Sequence, residues 1–203
     1  RPAVFTHKIW VRDTVKPILE GTLNELSVDL AEDCGITLPD PYTTTAEFLA
    51  NGLTAVKDCN SSLTVTKEDV QDNNNTCDRF YVRTYKVTDA CGNFSTTNQI
   101  IHVLDNTAPT FKTIGEQTAL VADNCQYQIP DLKDTTMKSV SDCNGTIFVS
   151  QDVAVGTKYD QLAEKQTIPV VVTVEDSCGN QNTYTIDVII PAVVKIDTMM
   201  VSR

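Results

Sequence analysis

The chain has 203 residues, and its 16 Lys and Arg against 27 Asp and Glu leave a formal net charge of −11. That balance excludes the basic face that nucleic acid requires, so no nucleic-acid partner is expected. No apolar run approaches the roughly 20 residues needed to cross a bilayer, so no transmembrane segment is expected, and Arg1–His7 lacks the pattern of a secretory signal.

Along the chain, runs of Val, Ile, Thr and Tyr alternate with clusters of Asn, Asp, Gly and Pro, which predicts short antiparallel strands joined by tight turns. Residues 1–12 are expected to be the terminal strand of a preceding unit or an N-terminal strand, because Lys8-Ile-Trp-Val-Arg12 aligns with Ile100-Ile-His-Val-Leu104. On that reading the chain is a piece of something longer. Asp13–Pro17 is a stiff, proline-ended linker. Thr45–Gly52 is the one helical signal, one or two turns closed by Asn51-Gly52.

Phe80–Val87 is the clearest strand, with Tyr81, Arg83, Tyr85 and Val87 predicted to face the core and Arg83 at its rim. It runs into Asp89-Ala-Cys-Gly-Asn93, a turn with Asp as cap and Gly at positive φ, and Thr97–Leu104 returns as a hairpin. A second linker, Asp105–Pro109, leads to a matching series. There Ile168, Val170, Val172 and Val174 take the inward positions, Asp176-Ser-Cys-Gly-Asn180 is the turn, and Thr183–Ile190 is the return strand. Residues 191–203 depart from the pattern and read as a C-terminal strand or linker.

Four segments occur twice in the same order. Val11–Pro17 matches Val103–Pro109, Glu32–Asp40 matches Asp123–Asp131, Lys57–Asn60 matches Ser141–Asn144, and Val87–Asn93 matches Val174–Asn180, at offsets of 92, 91, 84 and 87. Such self-similarity denotes a tandem array, here of two units of about 90 residues. The expected fold is all-β, tandem immunoglobulin-like β-sandwiches, over residues 13–105 and 106–190.

The order N-C-Q…P-D, D-C-N, R-T-Y-x-V-T-D-A-C-G-N, V-x-D-N-T-A-P-T-F resembles the hyalin-repeat-like (HYR-like) modules of large secreted or cell-surface proteins of Bacteroidetes, including flavobacteria. The resemblance covers about residues 13 to 190. It departs from the family in the second unit, which has no counterpart of Cys77, and in the first linker. It implies a non-catalytic extracellular or cell-surface segment acting as a stalk, spacer or fibre-forming part of a larger chain, with neighbouring repeats as partners. The alternative is an adhesin module that holds a glycan or a host or surface ligand through sandwich-end loops, with Tyr42, Phe48, Tyr127 and Tyr159 as candidate contacts. Self-assembly by strand exchange through the two terminal segments is a further expectation.

Seven cysteines lie in turn-like settings, none closer than the 14 residues between Cys77 and Cys91, which favours disulfides over zinc thiolates and an oxidising compartment. One arrangement joins Cys34 to Cys59, Cys125 to Cys143 and Cys77 to Cys91, leaving Cys178 unpaired. Another joins Cys59 to Cys91, Cys143 to Cys178 and Cys34 to Cys77, leaving Cys125. The first is preferred, and spacing alone does not decide.

Asp89, Asp105, Asn106 and Asp123 are candidate oxygen ligands for Ca²⁺ near the linkers, and Asp and Asn capping their own turns is the plain alternative. Asn60, Asn74, Asn93 and Asn144 each begin an N-x-S/T triplet. There is no P-loop, nucleophile elbow, H-E-x-x-H or dinucleotide fingerprint, so no catalytic residues are assigned and no enzyme is expected.

Overall fold

β-strands dominate the structure, a computed structural model. It describes residues 2–59, 61–71, 75–112, 114–123, 126–143 and 145–192. The chain divides into two compact units, Arg1–Ala31 with Gly35–Leu104, and Glu32–Cys34 with Asp105–Arg203.

The first unit is built on a long hairpin. β5 (Asp78–Thr88) and β6 (Phe94–Leu104) pair antiparallel over their whole length. Alternation puts Arg83, Tyr85 and Val87 of β5, and Gln99, Ile101 and Val103 of β6, on the buried face. β4 (Thr64–Gln71) pairs antiparallel with β5, and β2 (Leu26–Asp29) pairs parallel with β6, giving the order β2-β6-β5-β4. β1 (Ile18–Gly21) and β3 (Leu53–Lys57) form a separate two-stranded ladder.

Between the ladder strands lies α1 (Thr45–Ala50), started by a capping box in which the Glu47 backbone N–H donates to Thr44 Oγ1 and the Glu47 carboxylate accepts from the Thr44 N–H. Gly52 follows at φ +117°, where any side chain would collide with the Thr22 and Asn24 backbone. The helix drops Phe48 into a core of Leu23, Leu53, Tyr85 and Val87.

The second unit has a four-stranded sheet of the same order and sense. β14 (Gln166–Glu175) and β15 (Gln181–Ile190) form the hairpin, β12 (Phe148–Gln151) pairs antiparallel with β14, and β8 (Gln117–Thr118) runs parallel beside β15. β7 (Thr110–Phe111) pairs with β11 (Val140–Ser141). A small sheet of β9 (Leu120–Val121), β10 (Gln126–Gln128) and β13 (Lys158–Asp160), together with α2 (Lys133–Met137), completes it.

The core is aliphatic: Ile129, Leu132, Val170, Val172, Ile186, Val188 and Ile190. Pro169 sits inside β14 without disrupting it. It is opposite Asp187 of β15, and on its other side β12 reaches only as far as Val172, so no neighbour there misses its N–H.

Pairing registers coincide at the sequence offsets. Ile18↔Lys57 and Leu19↔Val56 in the first unit correspond to Thr110↔Ser141 and Phe111↔Val140 in the second. Thr64↔Thr88 corresponds to Phe148↔Glu175, and Arg83↔Gln99 to Val170↔Ile186.

Three expectations need correction or restriction. Residues 2–12 carry no strand and are exposed throughout, because among the described residues nothing pairs with them and a lone extended segment has no ladder. Arg83 is not at a rim: it is 1 % exposed, held by a charged partner described below. The closing-strand expectation for the tail falls on residues 193–203, which lie outside the described residues.

Candidate functional site

The D-x-C-G-N segments form the most ordered polar arrangement in each unit, a clamp between the hairpin turn and the linker that precedes the unit. In the first unit Asp89 Oδ1 accepts the backbone N–H of Cys91 and of Asn93, each at 2.8 Å, while Oδ2 accepts the Asn93 side-chain amide at 2.8 Å. The Asn93 amide also donates to the Asp13 carbonyl at 3.3 Å, and Ser95 Oγ donates to the Pro17 carbonyl.

The second unit repeats the clamp. Asp176 Oδ1 accepts from the Cys178 and Asn180 N–H at 2.7 and 2.9 Å, and Oδ2 accepts the Asn180 amide at 2.7 Å. Asn180 then donates to the Asp105 carbonyl at 3.0 Å, and Asn182 to the Pro109 carbonyl at 3.4 Å. Gly92 and Gly179 supply the left-handed residue, at φ +89° and +87°. The chemistry requires this order of residues. Asp must accept two turn N–H groups, Gly must turn the chain, and Asn must both donate to the carboxylate and reach the linker.

These bonds favour the charged carboxylate. The Asn93 amide and the turn N–H groups hold Asp89 below the ordinary carboxylate range, against the opposing effect of burial. With donors on both oxygens, Asp89 and Asp176 are occupied as turn staples.

Acidic groups do gather nearby. Oxygens of Asp13, Asp58 and Asp89 lie within 4.8 Å of one another, and so do ligand atoms of Asp105, Asp176 and Cys178. The first set is all oxygen, the donor type Ca²⁺ prefers. The second loses its thiolate, because Cys178 is disulfide-bonded. Asp89 and Asp105 therefore fall in different clusters, Asp123 is exposed and in neither, and Asn106 is exposed. Asp13, Asp58 and Asp176 were not singled out from sequence, although Asp13 and Asp176 are the offset partners of Asp105 and Asp89.

The cysteines also depart from expectation. Cys34 bonds to Cys143, with Cα atoms 5.2 Å apart and 109 residues between them in sequence. Cys77 and Cys178 are disulfide-bonded as well, whereas Cys59 and Cys91 are exposed free thiols. Both proposed pairings are thus overturned, and Cys178 is not the cysteine left over. Cys125 lies outside the described residues. The physical reason concerns Cys34. It occupies φ +66° in a turn closed by the Ala31 N–H on the Gly35 carbonyl, and Glu32–Cys34 is part of the second unit, so its neighbour is Cys143.

The candidate ligand-contacting aromatics are in the cores. Tyr42 stacks on Tyr85 and meets Phe48 edge-on, with ring centroids 5.7 and 6.0 Å away. Tyr127 and Tyr159 face each other across β10 and β13 and pack on the second core. Among the N-x-S/T sites, Asn93 spends its amide in the clamp, and Asn60, Asn74 and Asn144 lie outside the described residues.

The largest buried polar side chain among the described residues is Arg83, whose partner Asp69 was not singled out from sequence. Arg83 donates from Nε to Asp69 Oδ1 at 2.6 Å, from one terminal nitrogen to Asp69 Oδ2 at 3.2 Å, and from the other to the Pro39 carbonyl at 2.8 Å. Burial works against ionising Asp69, but its bonds to Arg83 and Lys67 prevail and keep it below its ordinary range. No protein-family model matches the chain, and no curated protein matches it.

Proposed function

We infer that the chain is a non-catalytic extracellular spacer: two immunoglobulin-like sandwiches in tandem, working as a stalk or fibre-forming segment of a larger surface protein. The observation that carries this is the duplicated clamp. In both copies the D-x-C-G-N motif uses its Asp and Asn to tie a hairpin turn to the linker before it, at Asp13 and again at Asp105.

A linker bonded by its own backbone carbonyl and stiffened by a buried proline is suited to holding spacing. The disulfide of Cys34 and Cys143 fits an oxidising compartment. The HYR-like resemblance points to the same role, and no helix among the described residues is long and apolar enough to cross a membrane. Small-angle scattering tests the spacer role. An extended profile is expected, and a maximum dimension near that of a single 200-residue globule would overturn it.

A further inference from the structure

Both free thiols stand at positions whose offset partners are bonded. Cys59 corresponds to Cys143, which is joined to Cys34, and Cys91 corresponds to Cys178, which is also in a disulfide. The surroundings of the first pair can be compared residue by residue. In the second unit Glu32 and Cys34 line a small cleft with Thr107, Ala108, Thr110, Ser141, Asp142 and Cys143. The offset positions in the first unit are Val15, Lys16, Ile18, Lys57, Asp58 and Cys59. There the surface is open, with Val15 52 % and Ile18 49 % exposed and both lysines at the surface.

The charge differs in an informative way. Both surfaces carry a carboxylate at the matched position, Asp142 and Asp58, but where the occupied cleft has Ala108 and Ser141 the open one adds two positive charges, Lys16 and Lys57. Lys57 already reaches Glu20 at 2.7 Å but keeps 60 % of its side chain exposed.

We propose that the Val15–Ile18 and Lys57–Cys59 surface is a docking site for an acidic, Cys34-type turn of another unit of the same repeat, locked by a disulfide at Cys59. The proposal rests on the tandem-repeat reading and adds a covalent join between successive units. The bond forms by thiol–disulfide exchange. The Cys59 thiolate attacks the donor sulfur of a mixed disulfide between the incoming cysteine and a small thiol; the new S–S bond forms, the old one breaks, and the small thiolate leaves with the electron pair. The proton of Cys59 goes to solvent. In an oxidising compartment a low-molecular-weight disulfide first supplies that mixed disulfide and is reduced in turn.

The test uses the full chain with a synthetic peptide of residues 30–39, activated at its cysteine with thionitrobenzoate. Release of the chromophore gives the rate, and peptide mass mapping gives the site. Transfer is expected to Cys59 about fivefold or more faster than to Cys91, with the preference falling at high salt and in Lys16→Gln with Lys57→Gln. A peptide with Glu and Asp replaced by Gln and Asn should lose it too.

Equal rates at the two thiols would overturn the proposal, as would an undiminished preference with the neutral peptide. Recovery of the native chain with Cys59 joined to Cys91 would also overturn it. These outcomes leave the scattering result untouched, so this proposal and the spacer reading fail separately.

Discussion

The two units lay down the same sheet with opposite core chemistry. At matched positions on the hairpin, the first unit buries Arg83, Tyr85 and Gln99 where the second buries Val170, Val172 and Ile186. Each set is within 2 % of complete burial. In the first unit the polar groups satisfy one another: Asp69 meets Arg83 across β4 and β5, and Gln99 bonds Tyr42, Tyr85 and the Asn24 carbonyl.

In the second unit β12 ends at Gln151, so the offset partner of Asp69, Val153, lies beyond the strand and packs as a hydrophobe. One backbone pattern thus accepts either a hydrogen-bonded network or plain aliphatic packing. The difference lies in what each tolerates, since a network fails when one member is removed and an aliphatic core fails by cavity.

The largest effect should come from breaking that network on one side only. Asp69→Ala leaves the Arg83 guanidinium buried without its carboxylate and should cost the first unit about 3 kcal/mol or more. The double variant Asp69→Val with Arg83→Val installs the second unit's own pair and should recover most of the loss. Hydrogen exchange read on β5 and, separately, on β14 reports each unit in turn. If the single and double variants are equally destabilised, the two cores are not interchangeable.

The clamp is where the units agree, so it should respond alike in both. Asn93→Ala and Asn180→Ala each remove a charge-assisted bond to a carboxylate and a bond to a linker carbonyl, at a cost of about 1.5 kcal/mol. Faster amide exchange at Cys91 and Asn93 in the first variant, and at Cys178 and Asn180 in the second, would show local loosening. A loss in only one unit would mean the other linker is held by something else.

The smallest effect is pH-dependent and confined to the first unit. His102 lies 2.8 Å from Asp78 and 3.5 Å from Glu25, and the hydrogen bond to Asp78 raises its pKa, partly opposed by burial. A raised folded pKa means the stabilisation is complete below the unfolded value near 6.5. It is lost as pH climbs through the folded value. His102→Gln should therefore cost about 0.5 kcal/mol at pH 5 and nothing at pH 9, since the pair is partly exposed. The offset position in the second unit is Ile189, so exchange there should show no such dependence. Equal losses at both pH values would remove the ionic contribution.

What could be read from sequence follows a physical division. Val170, Val172 and Val174 alternate over a strand long enough to show its period, and the turn of Asp89 to Asn93 needs only local bonds, so both were legible. β8 and β9 have two residues each and carry no period at all. Arg83 was placed on the correct face, but its burial depends on Asp69, 14 residues away, whose register no local signal reveals. The bond between Cys34 and Cys143 spans 109 residues, so a search for pairs close in sequence could not find it. Residues 2–12 have strand composition, but among the described residues no strand pairs with them.

The parallel contacts of β2 with β6 and of β8 with β15 have a mechanical consequence. A strand near the start of each unit lies alongside its last described strand in the same sense, so the chain enters at one end of the pair and leaves at the other. Tension that reaches the two strands pulls them past each other lengthwise. Their hydrogen bonds are then loaded together in shear instead of opening one at a time like a zipper. In the first unit that group spans Leu26↔Ile101 to Asp29↔Leu104.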